Sequence, residues 1–244
     1  MYCGKRLAVV LPAYNEQHAI LQVMGSMPGF VDVIAVVDDA STDRTPRLLA
    51  ELEDPRLSCV RHEKNRGVGA AIASGYKKAL ELGVDLVVVM GADGQMDPHD
   101  LPRLLDPAVH GDADYVKGNR FLEGEAFRAM PLSRYAGNVA LSWLTRAATG
   151  RWELFDSQCG YTVATADILK RLDLDKVFPR YGVPIDLLDK ILGIGGRIAE
   201  RPVRPLYPKR HTHMKPIRVV LPILGLLAAI WRKRHRQPKT WQAA

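Results

Sequence analysis

The sequence predicts an α/β fold built on a doubly wound, mainly parallel sheet. Short apolar segments alternate with amphipathic segments at the spacing of β-α-β units, which is typical of a parallel sheet covered by helices on both faces. Residues 87–90 (VVVM) and similar runs are continuously apolar, as expected of strands buried on both faces. Polar residues gather directly after these runs. In such sheets, ligands bind outside the carboxyl ends of the strands.

The individual elements follow from this pattern. Strands are predicted at residues 6–11, 33–38, 56–61, 85–90 and 114–117, and helices at residues 16–27, 44–53, 68–82 and 98–105. The last of these helices has Asp97 as its N-cap and proline at its first position. From Gly118 the pattern changes to a loop rich in Gly and Arg, followed by a predicted helix at residues 133–149. We interpret this region as an elaboration of the same domain.

The composition indicates a globular, intracellular chain. With 244 residues and 47% hydrophobic content, the chain can form a large core, which argues against disorder for most of it. Cys3, Cys59 and Cys159 are far apart and lack CxxC spacing, so neither a disulfide framework nor a zinc site is predicted. The N-terminus has an apolar stretch too short for a signal peptide. We therefore expect a reducing, cytoplasmic setting.

The net positive charge lies at the C-terminal end. No acidic residue follows Glu200, whereas eleven Lys and Arg residues do. Because the whole chain carries +7, residues 1–200 sum to −4. This asymmetry predicts an anionic partner at the C-terminal end, namely a membrane surface, a phosphate-bearing substrate or nucleic acid. A solvated basic extension is the alternative.

A short apolar segment, residues 219–231 (VVLPILGLLAAIW), lies within this basic region. A bilayer span needs roughly 20 apolar residues, so the segment is too short to cross a membrane. We expect a helix in the membrane interface, with Trp231 and the flanking cations at the level of the headgroups. A helix buried against the body of the protein or a sister subunit is the alternative.

Two motifs follow the second and third predicted strands. In VVDDASTDRT (residues 36–45), Asp38 and Asp39 can accept hydrogen bonds from a base or a ribose, while Asp43 can equally cap the next helix. In NRGVGAA (residues 65–71), Gly67 and Gly69 open a helix, which suits the approach of a diphosphate to backbone N–H groups. The glycine motif follows the third strand rather than the first, unlike that of a dinucleotide-binding fold.

A third motif, GADGQ, follows the fourth predicted strand. Asp93 and Gln95 can present oxygen ligands to one hard cation, Mg²⁺ or Mn²⁺, whose other ligands would come from water and phosphate. An ordinary turn is the alternative, because Ala-Asp-Gly is common turn chemistry.

Taken together, LPAYNE, VVDDASTDRT, NRGVGAA and MGADGQMDP resemble the family 2 glycosyltransferases of the GT-A fold. The resemblance is closest to the polyprenyl-phosphate branch, which includes the dolichol-phosphate mannose synthases, and it covers about residues 5–214. It implies a GT-A domain at residues 1–215, with an acceptor-side elaboration at about 118–160 and a lid at about 200–215. Residues 216–244 would form the basic tail with its interfacial helix.

The resemblance also implies roles for individual residues. Asp93, Arg120, Arg134 and Asp156 would form the catalytic set, and Asp93 with Gln95 would hold Mg²⁺ or Mn²⁺ on the donor diphosphate. The predicted nucleotide-binding residues are Pro12, Tyr14, Glu16, Asp38, Asp39, Arg66 and Gly67. The predicted acceptor-phosphate and lid residues are Arg120, Arg134, Asn138, Arg210 and His213. For Arg210 and His213, simple membership of the basic tail is the alternative.

One position departs from the family pattern. The family usually has Asp-Ala-Asp where this chain has Gly91, Ala92 and Asp93. The missing carboxylate implies weaker metal binding, with the ion arriving on the nucleotide, or a compensating role for Asp38 and Asp39. An inactive relative is the third alternative.

The expected reaction is the transfer of a hexose from GDP-mannose or UDP-glucose to a polyprenyl phosphate, with inversion at the anomeric carbon. One alternative is a family 2 enzyme of surface polysaccharide synthesis that acts on a saccharide hydroxyl, for which Asp156 or Asp186 would be the general base. Another is a pseudoenzyme that binds a nucleotide sugar. Nucleic acid is not an expected partner, because the acidic strand-end motifs would repel its backbone. The expected location is peripheral, on an anionic membrane surface at its cytoplasmic face, and a homo-oligomer is compatible with the sequence.

Overall fold

A computed structural model describes residues 1–124, 126–206 and 216–236. Its centre is a seven-stranded sheet with the order β3-β2-β1-β4-β6-β5-β7. The strands are β1 (Leu7–Ala13), β2 (Val33–Asp38), β3 (Leu57–Arg61), β4 (Leu86–Val89), β5 (Tyr115–Asn119), β6 (Thr162–Thr165) and β7 (Ile198–Pro202).

The sheet is mainly parallel, as predicted. Strand β6 runs antiparallel to both of its neighbours, β4 and β5, and the other adjacent pairs are parallel. The five predicted strands are confirmed, with shifts of at most two residues at their ends. Strands β6 and β7 were not predicted. The first residues of the predicted lid therefore belong to an edge strand of the sheet.

Helices cover both faces of this sheet. They are α1 (Ile20–Gly25), α2 (Thr45–Ala50), α3 (Val68–Glu81), α4 (Leu101–Val109), α5 (Ala126–Ala129), α6 (Leu132–Thr149), α7 (Ala166–Lys170), α8 (Val183–Gly193) and α9 (Pro216–Arg236). The predicted start at Asp97 is confirmed, since its side chain accepts a hydrogen bond from His99 N at 2.9 Å. The first turn there, Pro98–Asp100, is a 3₁₀ helix that continues into α4.

The two faces of the sheet form two cores. One contains Leu11, Val36 and Leu104, and the other contains Val10 and Tyr76. Helix α3 lies directly on β1, because a Cβ at Gly75 would come within 2.2 Å of Val10 Cγ1. Such close packing fixes the strand ends relative to one another.

Helix α9 contains the apolar segment of the tail and packs along α6. Its residues Ile223, Leu227 and Ile230 are buried with Ala148 of α6 and Ile185 of α8. One face of the segment is thus covered by the body of the protein, while its other positions are partly or fully exposed. Within the described ranges, no helix combines the length and apolar character needed to cross a bilayer.

Candidate active site

The loops after β1 and β2 are joined by hydrogen bonds. Asn15 N donates to Ser41 Oγ at 2.9 Å, and Asn15 Oδ1 accepts from Thr42 N at 2.8 Å. Glu16 N donates to Thr45 Oγ1 at 2.8 Å. These bonds build one rigid rim from LPAYNE and VVDDASTDRT. Polar residues of VVDDASTDRT therefore hold the loop after β1 in place, in addition to forming the loop after β2.

The side chains of Asp38 and Asp39 both make internal contacts. Asp38 Oδ1 accepts from Ser41 N at 2.9 Å, and Asp38 Oδ2 lies 3.2 Å from Arg61 Nε. Asp39 accepts from the backbone N–H groups of Arg66 and Gly67 at 2.8 and 2.7 Å. Both carboxylates are 3% exposed, so they organise the rim from within. Their direct contact with a nucleoside stays a prediction.

His62 is a member of this site that the sequence analysis missed. Its Nδ1 lies 2.6 Å from Asp39 Oδ1, and its Nε2 lies 2.9 Å from Ser74 Oγ of α3. The imidazole is buried. It ties the end of β2 to α3, and no motif in the sequence signals this because the two partners are brought together only by the fold.

The glycines of the turn at residues 65–71 are explained by close packing against another segment of the protein, whereas the sequence analysis explained them by the approach of a diphosphate. Gly69 N and Ala70 N donate to Pro179 O at 2.9 and 3.2 Å. A Cβ at Gly69 would lie 1.9 Å from Phe178 O. These glycines admit the backbone of residues 178–179, and their N–H groups are bound by protein acceptors rather than left for a diphosphate. The reasoning from backbone N–H groups was therefore wrong, and binding of nucleotide by Arg66 and Gly67 stays a prediction.

The remaining predicted nucleoside residues lie at the open side of the rim. Pro12 and Glu16 are partly exposed, and the Tyr14 side chain is 46% exposed. Tyr181, which the sequence analysis also missed, lies close to Glu16 and Asp93. Burial raises the pKa of Tyr181, and the charges of Asp93 and Glu16 raise it further. A half-exposed phenol beside these carboxylates can donate a hydrogen bond to a ligand.

The predicted metal ligands lie together after β4. Gln95 N and Nε2 donate to the Asp93 carboxylate at 3.0 and 2.8 Å, and Gln95 Oε1 lies 3.4 Å from Arg134 Nη2. Burial raises the pKa of Asp93, although the Gln95 N–H and the Arg134 charge oppose this effect. A cation bound beside such a partly buried carboxylate would stabilise its ionised form. The Asp93 carboxylate and the Gln95 amide oxygen are ligand types that Mg²⁺ or Mn²⁺ takes, and in this structure the Gln95 oxygen lies toward Arg134.

Gly91, the departure from the family pattern, lies against the same carboxylate. A Cβ at Gly91 would come within 2.9 Å of Asp93 Oδ1. The Asp93 side chain thus occupies space that a first carboxylate of the motif would need. We call residues 91–96 the metal loop. In this chain, its candidate metal ligands are one carboxylate, Asp93, and one amide, Gln95. A group of three or more His, Cys, Asp or Glu residues placed to bind metal is absent from the described part of the chain.

A cavity of about 120 Å³ joins the metal loop to the predicted acceptor residues. Arg120 and Arg134 line it together with Asp93 and Gln95. Arg204, which was not predicted, lines it as well. Among the described residues of this lining, Asp93 is the only carboxylate. The structure therefore brings residues from four separate segments to one cavity, where three arginines lie together with one carboxylate.

Arg120 is held by Asp156. Arg120 N and Nε donate to Asp156 Oδ2 at 2.8 and 2.7 Å, and Nη2 donates to Oδ1 at 2.6 Å. Asp156 is 0% exposed and has a left-handed φ of 45°. Burial alone would raise the pKa of Asp156, but Arg120 and Lys117 lower it below its usual value. Asp156 is placed to position Arg120 rather than to remove a proton from a substrate.

A buried lysine, Lys117, binds the loop that carries Asp156 and so supports the Arg120–Asp156 pair. Lys117 Nζ donates to the carbonyls of Phe155 and Asp156 at 2.7 and 2.6 Å and lies 3.1 Å from Glu200 Oε1. Glu200 also accepts from Phe155 N at 2.9 Å. Lys117 is 1% exposed. The network fixes the loop that carries Asp156, and it escaped sequence analysis because β7 was not recognised as a strand.

Other predicted residues lie apart from this cavity or outside the described residues. The Asn138 amide lies 3.8 Å from Met130 Sδ, and Asn138 is not part of the cavity lining. Asp186, the alternative general base, accepts from Phe178 N at 2.8 Å and binds Lys190. Arg210 and His213 lie outside the described residues.

The segment after β7 is attached to the metal loop. Leu206 N donates to Gln95 O at 3.1 Å, and Met96 and Pro205 form a β-bridge. Arg204 N donates to Asp100 Oδ2 at 2.7 Å, and its Nη2 donates to Asp97 at 2.9 Å. The start of the predicted lid is therefore joined directly to the residues that would hold the metal.

Comparison with known proteins agrees with this geometry. Residues 8–178 match the family model described as Glycosyl transferase family 2. The UDP-N-acetylglucosamine–dolichyl-phosphate N-acetylglucosaminyltransferase of Methanococcus voltae is 32% identical over 218 residues, covering 83% of this chain and 86% of that protein. The undecaprenyl-phosphate mannosyltransferase of Micrococcus luteus is 35% identical over 204 residues, covering 81% and 82%.

The fold comparison is consistent with the same conclusion. Glucosyl-3-phosphoglycerate synthase from Mycobacterium tuberculosis, crystallised with Mn²⁺, UDP and glucosyl-3-phosphoglycerate, superposes with a TM-score of 0.69 at 24% identity. The superposition covers 95% of this chain and 80% of that chain. The GT-A fold expected from the motifs is therefore confirmed. On its sequence and its fold, this chain belongs to glycosyltransferase family 2.

Proposed function

We propose that this glycosyltransferase moves a hexose from a nucleotide sugar to a polyprenyl phosphate, with inversion at the anomeric carbon. The observation that carries the proposal is the cavity that Arg120 and Arg134 line together with Asp93 and Gln95. A cavity that combines oxygen ligands for a cation with guanidinium groups for phosphate suits two anionic substrates that meet across a sugar.

The arginines suit a phosphate acceptor. A guanidinium group matches phosphate oxygens in a bidentate way, and Arg120 is held in place by three hydrogen bonds to Asp156. A phosphate monoester has a second pKa of about 6 and is mostly ionised at neutral pH. It needs no general base to become a nucleophile. Arg120 and Arg134 would hold it in line with the anomeric carbon.

The internal contacts of the candidate bases disfavour a hydroxyl acceptor. Removal of a hydroxyl proton needs a carboxylate that can reach the acceptor. Asp156 is fully buried and accepts hydrogen bonds from Arg120, and Asp186 is bound to Phe178 N and Lys190. Asp93 is the remaining carboxylate among the described lining residues, and it is assigned to the metal. The polysaccharide alternative therefore has less support than the lipid phosphate.

Asp93 and Gln95 would hold Mg²⁺ or Mn²⁺, which when bound supplies Lewis-acid stabilisation of the departing diphosphate. The Mn²⁺ complex of the structural neighbour supports this assignment. The rim formed by Pro12, Tyr14 and Glu16, with Tyr181 beside it, would receive the nucleoside.

The donor sugar is a separate question. Of the two relatives described above, one is named for transfer of N-acetylglucosamine and the other for transfer of mannose, both to a polyprenyl phosphate. To GDP-mannose and UDP-glucose, the donors expected from the sequence, the first of these relatives adds UDP-N-acetylglucosamine as a candidate. The proposed setting is the surface of an anionic membrane, where a lipid acceptor is available.

Thermal shift measurements with GDP and UDP, each with and without Mn²⁺, test the donor site. We expect stabilisation by one of the two nucleotides that requires the metal, as binding to the folded state predicts. Transfer from the matching sugar nucleotide is then measured to a polyprenyl phosphate and to the corresponding polyprenol. Transfer to the alcohol at the same rate as to the phosphate would contradict the proposal, and binding without any transfer would indicate a pseudoenzyme.

A further inference from the structure

Glu200, the middle residue of β7, is a buried carboxylate outside the predicted catalytic set. Its side chain is 9% exposed. Its Oε1 accepts a hydrogen bond from Phe155 N at 2.9 Å and lies 3.1 Å from Lys117 Nζ. Its Oε2 accepts from Asn119 Nδ2 at 2.8 Å. A buried ion pair is weak evidence for stability, because apolar residues of similar volume often stabilise a core equally well. The role of this carboxylate is therefore indicated by the residues that it holds.

Two partners of Glu200 are the chain neighbours of the Arg120–Asp156 pair. Asn119 directly precedes Arg120, and Phe155 directly precedes Asp156. One oxygen of Glu200 therefore holds the segment that carries the arginine, and the other oxygen holds the segment that carries its carboxylate partner. Glu200 is not among the described residues that line the cavity. It can therefore act on a substrate only through the orientation of Arg120.

The backbone of Phe155 and Asp156 is held by charged groups at both its donor and its acceptor atoms. Phe155 N donates to Glu200, while the carbonyls of Phe155 and Asp156 accept from Lys117 Nζ. Hydrogen bonds with a charged partner are roughly twice as strong as neutral ones. Asp156 has a φ of 45°, which a non-glycine residue keeps only where its surroundings hold it. The network therefore maintains the backbone conformation from which Asp156 reaches Arg120.

Strand β7 also links this network to the metal loop. Lys117 and Glu200 are register partners in the parallel pair formed by β5 and β7. Further along the same segment, Leu206 N donates to Gln95 O at 3.1 Å. Residues 200–206 therefore contact the neighbours of Arg120 at one end and the metal loop at the other. The length of this segment limits how far Arg120 and the metal loop can move apart.

We propose that Glu200 is a positioning residue for the acceptor phosphate, which it aligns by holding Arg120 at a set distance from the metal loop. This inference rests on the proposed phosphate acceptor. Before transfer, the acceptor oxygen and the anomeric carbon must lie about 3–3.5 Å apart and in line, so a displaced guanidinium group weakens productive binding. An amide at position 200 cannot replace the carboxylate. All three groups that face it are donors, and an amide offers them only one oxygen.

Glu200→Gln is the first test, measured on the full chain with geranyl phosphate as a water-soluble acceptor probe. Titration calorimetry gives the dissociation constant of geranyl phosphate in the presence of Mn²⁺ and the nucleoside diphosphate selected by thermal shift. We expect this constant to rise about tenfold, which corresponds to the loss of one hydrogen bond to a charged group. The dissociation constant of the nucleotide should change by less than about twofold, a difference between the two ligands that a purely structural role does not produce. Circular dichroism establishes that the variant is folded.

Asp114→Asn is the matched control. Asp114 joins the same two strands at their other end, where it accepts from Arg197 N at 2.8 Å and from Arg197 Nη2 at 2.9 Å. The substitution makes the same change, carboxylate to amide, between β5 and β7 but away from the cavity lining. It should alter the dissociation constant of geranyl phosphate by less than about twofold. Equal losses of affinity in Asp114→Asn and Glu200→Gln would assign the effect to the strand pair as a whole and overturn the proposal.

Asn119→Ala provides a second variant that carries the test if Glu200→Gln does not fold. It leaves Glu200 paired with Lys117, so no buried charge loses its counter-ion. It removes the hydrogen bond to Glu200 and the one that Asn119 Oδ1 accepts from Phe121 N. We expect the dissociation constant of geranyl phosphate to rise about threefold. Unchanged affinity in every folded variant would overturn the proposal.

The orientation of Arg120 can also be observed without any acceptor. Its Nε–H donates to Asp156, so this proton should exchange slowly and give a signal in the ¹H–¹⁵N spectrum at neutral pH. Arg120→Lys assigns the signal by removing it. We expect the signal to persist in Asp114→Asn and to broaden in Glu200→Gln. A sharp, unshifted signal in Glu200→Gln would overturn the proposal.

Sugar transfer to a polyprenyl phosphate separates this inference from the proposed function. Wild-type protein that binds geranyl phosphate but transfers no sugar would refute the proposed function, while weaker binding by Glu200→Gln would still support the positioning role. Active transfer combined with unchanged geranyl phosphate binding in Glu200→Gln would overturn the positioning role alone. Wild-type protein that does not bind geranyl phosphate would overturn both.

Discussion

Replacement of Asp156 by Asn is the most direct test of how Arg120 is positioned. The substitution keeps the shape of the side chain and tolerates the left-handed backbone, because Asn adopts positive φ readily. It removes the charge that accepts three hydrogen bonds from Arg120. If the amide oxygen takes the place of Oδ2, the two bonds from Arg120 N and Nε remain, but their acceptor no longer carries a charge. The amide NH₂ then faces Nη2, so the third bond is lost.

The expected cost follows from these contacts. One lost hydrogen bond to a charged group is worth about 1.5–3 kcal/mol, and complete loss of a buried partner costs about 3–5 kcal/mol. We therefore expect Asp156→Asn to lower the free energy of unfolding by about 2–4 kcal/mol at neutral pH. The KM for the acceptor should rise, because Arg120 is no longer held, while the KM for the donor changes little.

The effect should depend on pH in a defined direction. Arg120 and Lys117 lower the pKa of Asp156 in the folded state, against the opposing effect of burial. The stabilisation by the ionised carboxylate is therefore complete above the unfolded pKa of about 3.9 and is lost as the pH falls through the lower folded value. The difference in stability between wild type and Asp156→Asn should be constant near neutral pH and shrink below about pH 4.

Chemical denaturation of both proteins across this pH range provides the assay. Glu153→Gln is a matched control, since it makes the same chemical change at a 61% exposed side chain three residues away. It should alter the free energy of unfolding by less than about 0.5 kcal/mol. If Asp156→Asn were equally mild and left the acceptor KM unchanged, the assigned positioning role would be refuted.

Three further substitutions test other parts of the site. Asp93→Asn should abolish Mn²⁺-dependent stabilisation by the nucleotide and lower kcat/KM about a hundredfold or more; unchanged metal dependence in thermal shift would contradict the metal assignment. Arg134→Lys should raise the acceptor KM about tenfold with the donor KM preserved, because a lysine cannot bind phosphate in a bidentate way. Arg204→Gln should cost less than about 1 kcal/mol of stability, since its ion pair with Asp97 is half-exposed, yet it should lower kcat/KM about tenfold. Steady-state kinetics and denaturation together decide these outcomes.

The parts of the fold that repeat a simple pattern were predictable from the sequence. Strand β2 and helix α3 are bounded by clear breaks, and each was placed within one residue of its observed ends. Strand β7 was missed because its five residues, IAERP, include two charged side chains, one of which, Glu200, has its partners elsewhere in the fold. Glu200 pairs with Lys117 on β5, a contact that hydrophobic periodicity cannot reveal.

The sequence predicted which residues belong to the candidate site better than it predicted the contacts between them. The motifs brought Asp93 and Gln95 into one loop, and the cavity joins them to Arg120 and Arg134. The sequence could not show that Asp39 binds the glycine-rich turn, or that Pro179 fills the space beside Gly69. In the second contact, Pro179 and Gly69 are more than a hundred residues apart in the sequence. Only the folded structure brings such segments together.

The glycine at position 91 and the arginines of the cavity have a common electrostatic consequence. A second carboxylate in the metal loop would strengthen metal binding, but it would also repel an acceptor phosphate bound a few ångströms away. With Asp93 as the single carboxylate among the described lining residues, this repulsion of a phosphate is smaller. A hard cation bound by fewer protein oxygens takes more of its ligands from water and from the donor diphosphate. Metal affinity in the absence of nucleotide should therefore be low, and the donor with its metal would bind before the acceptor.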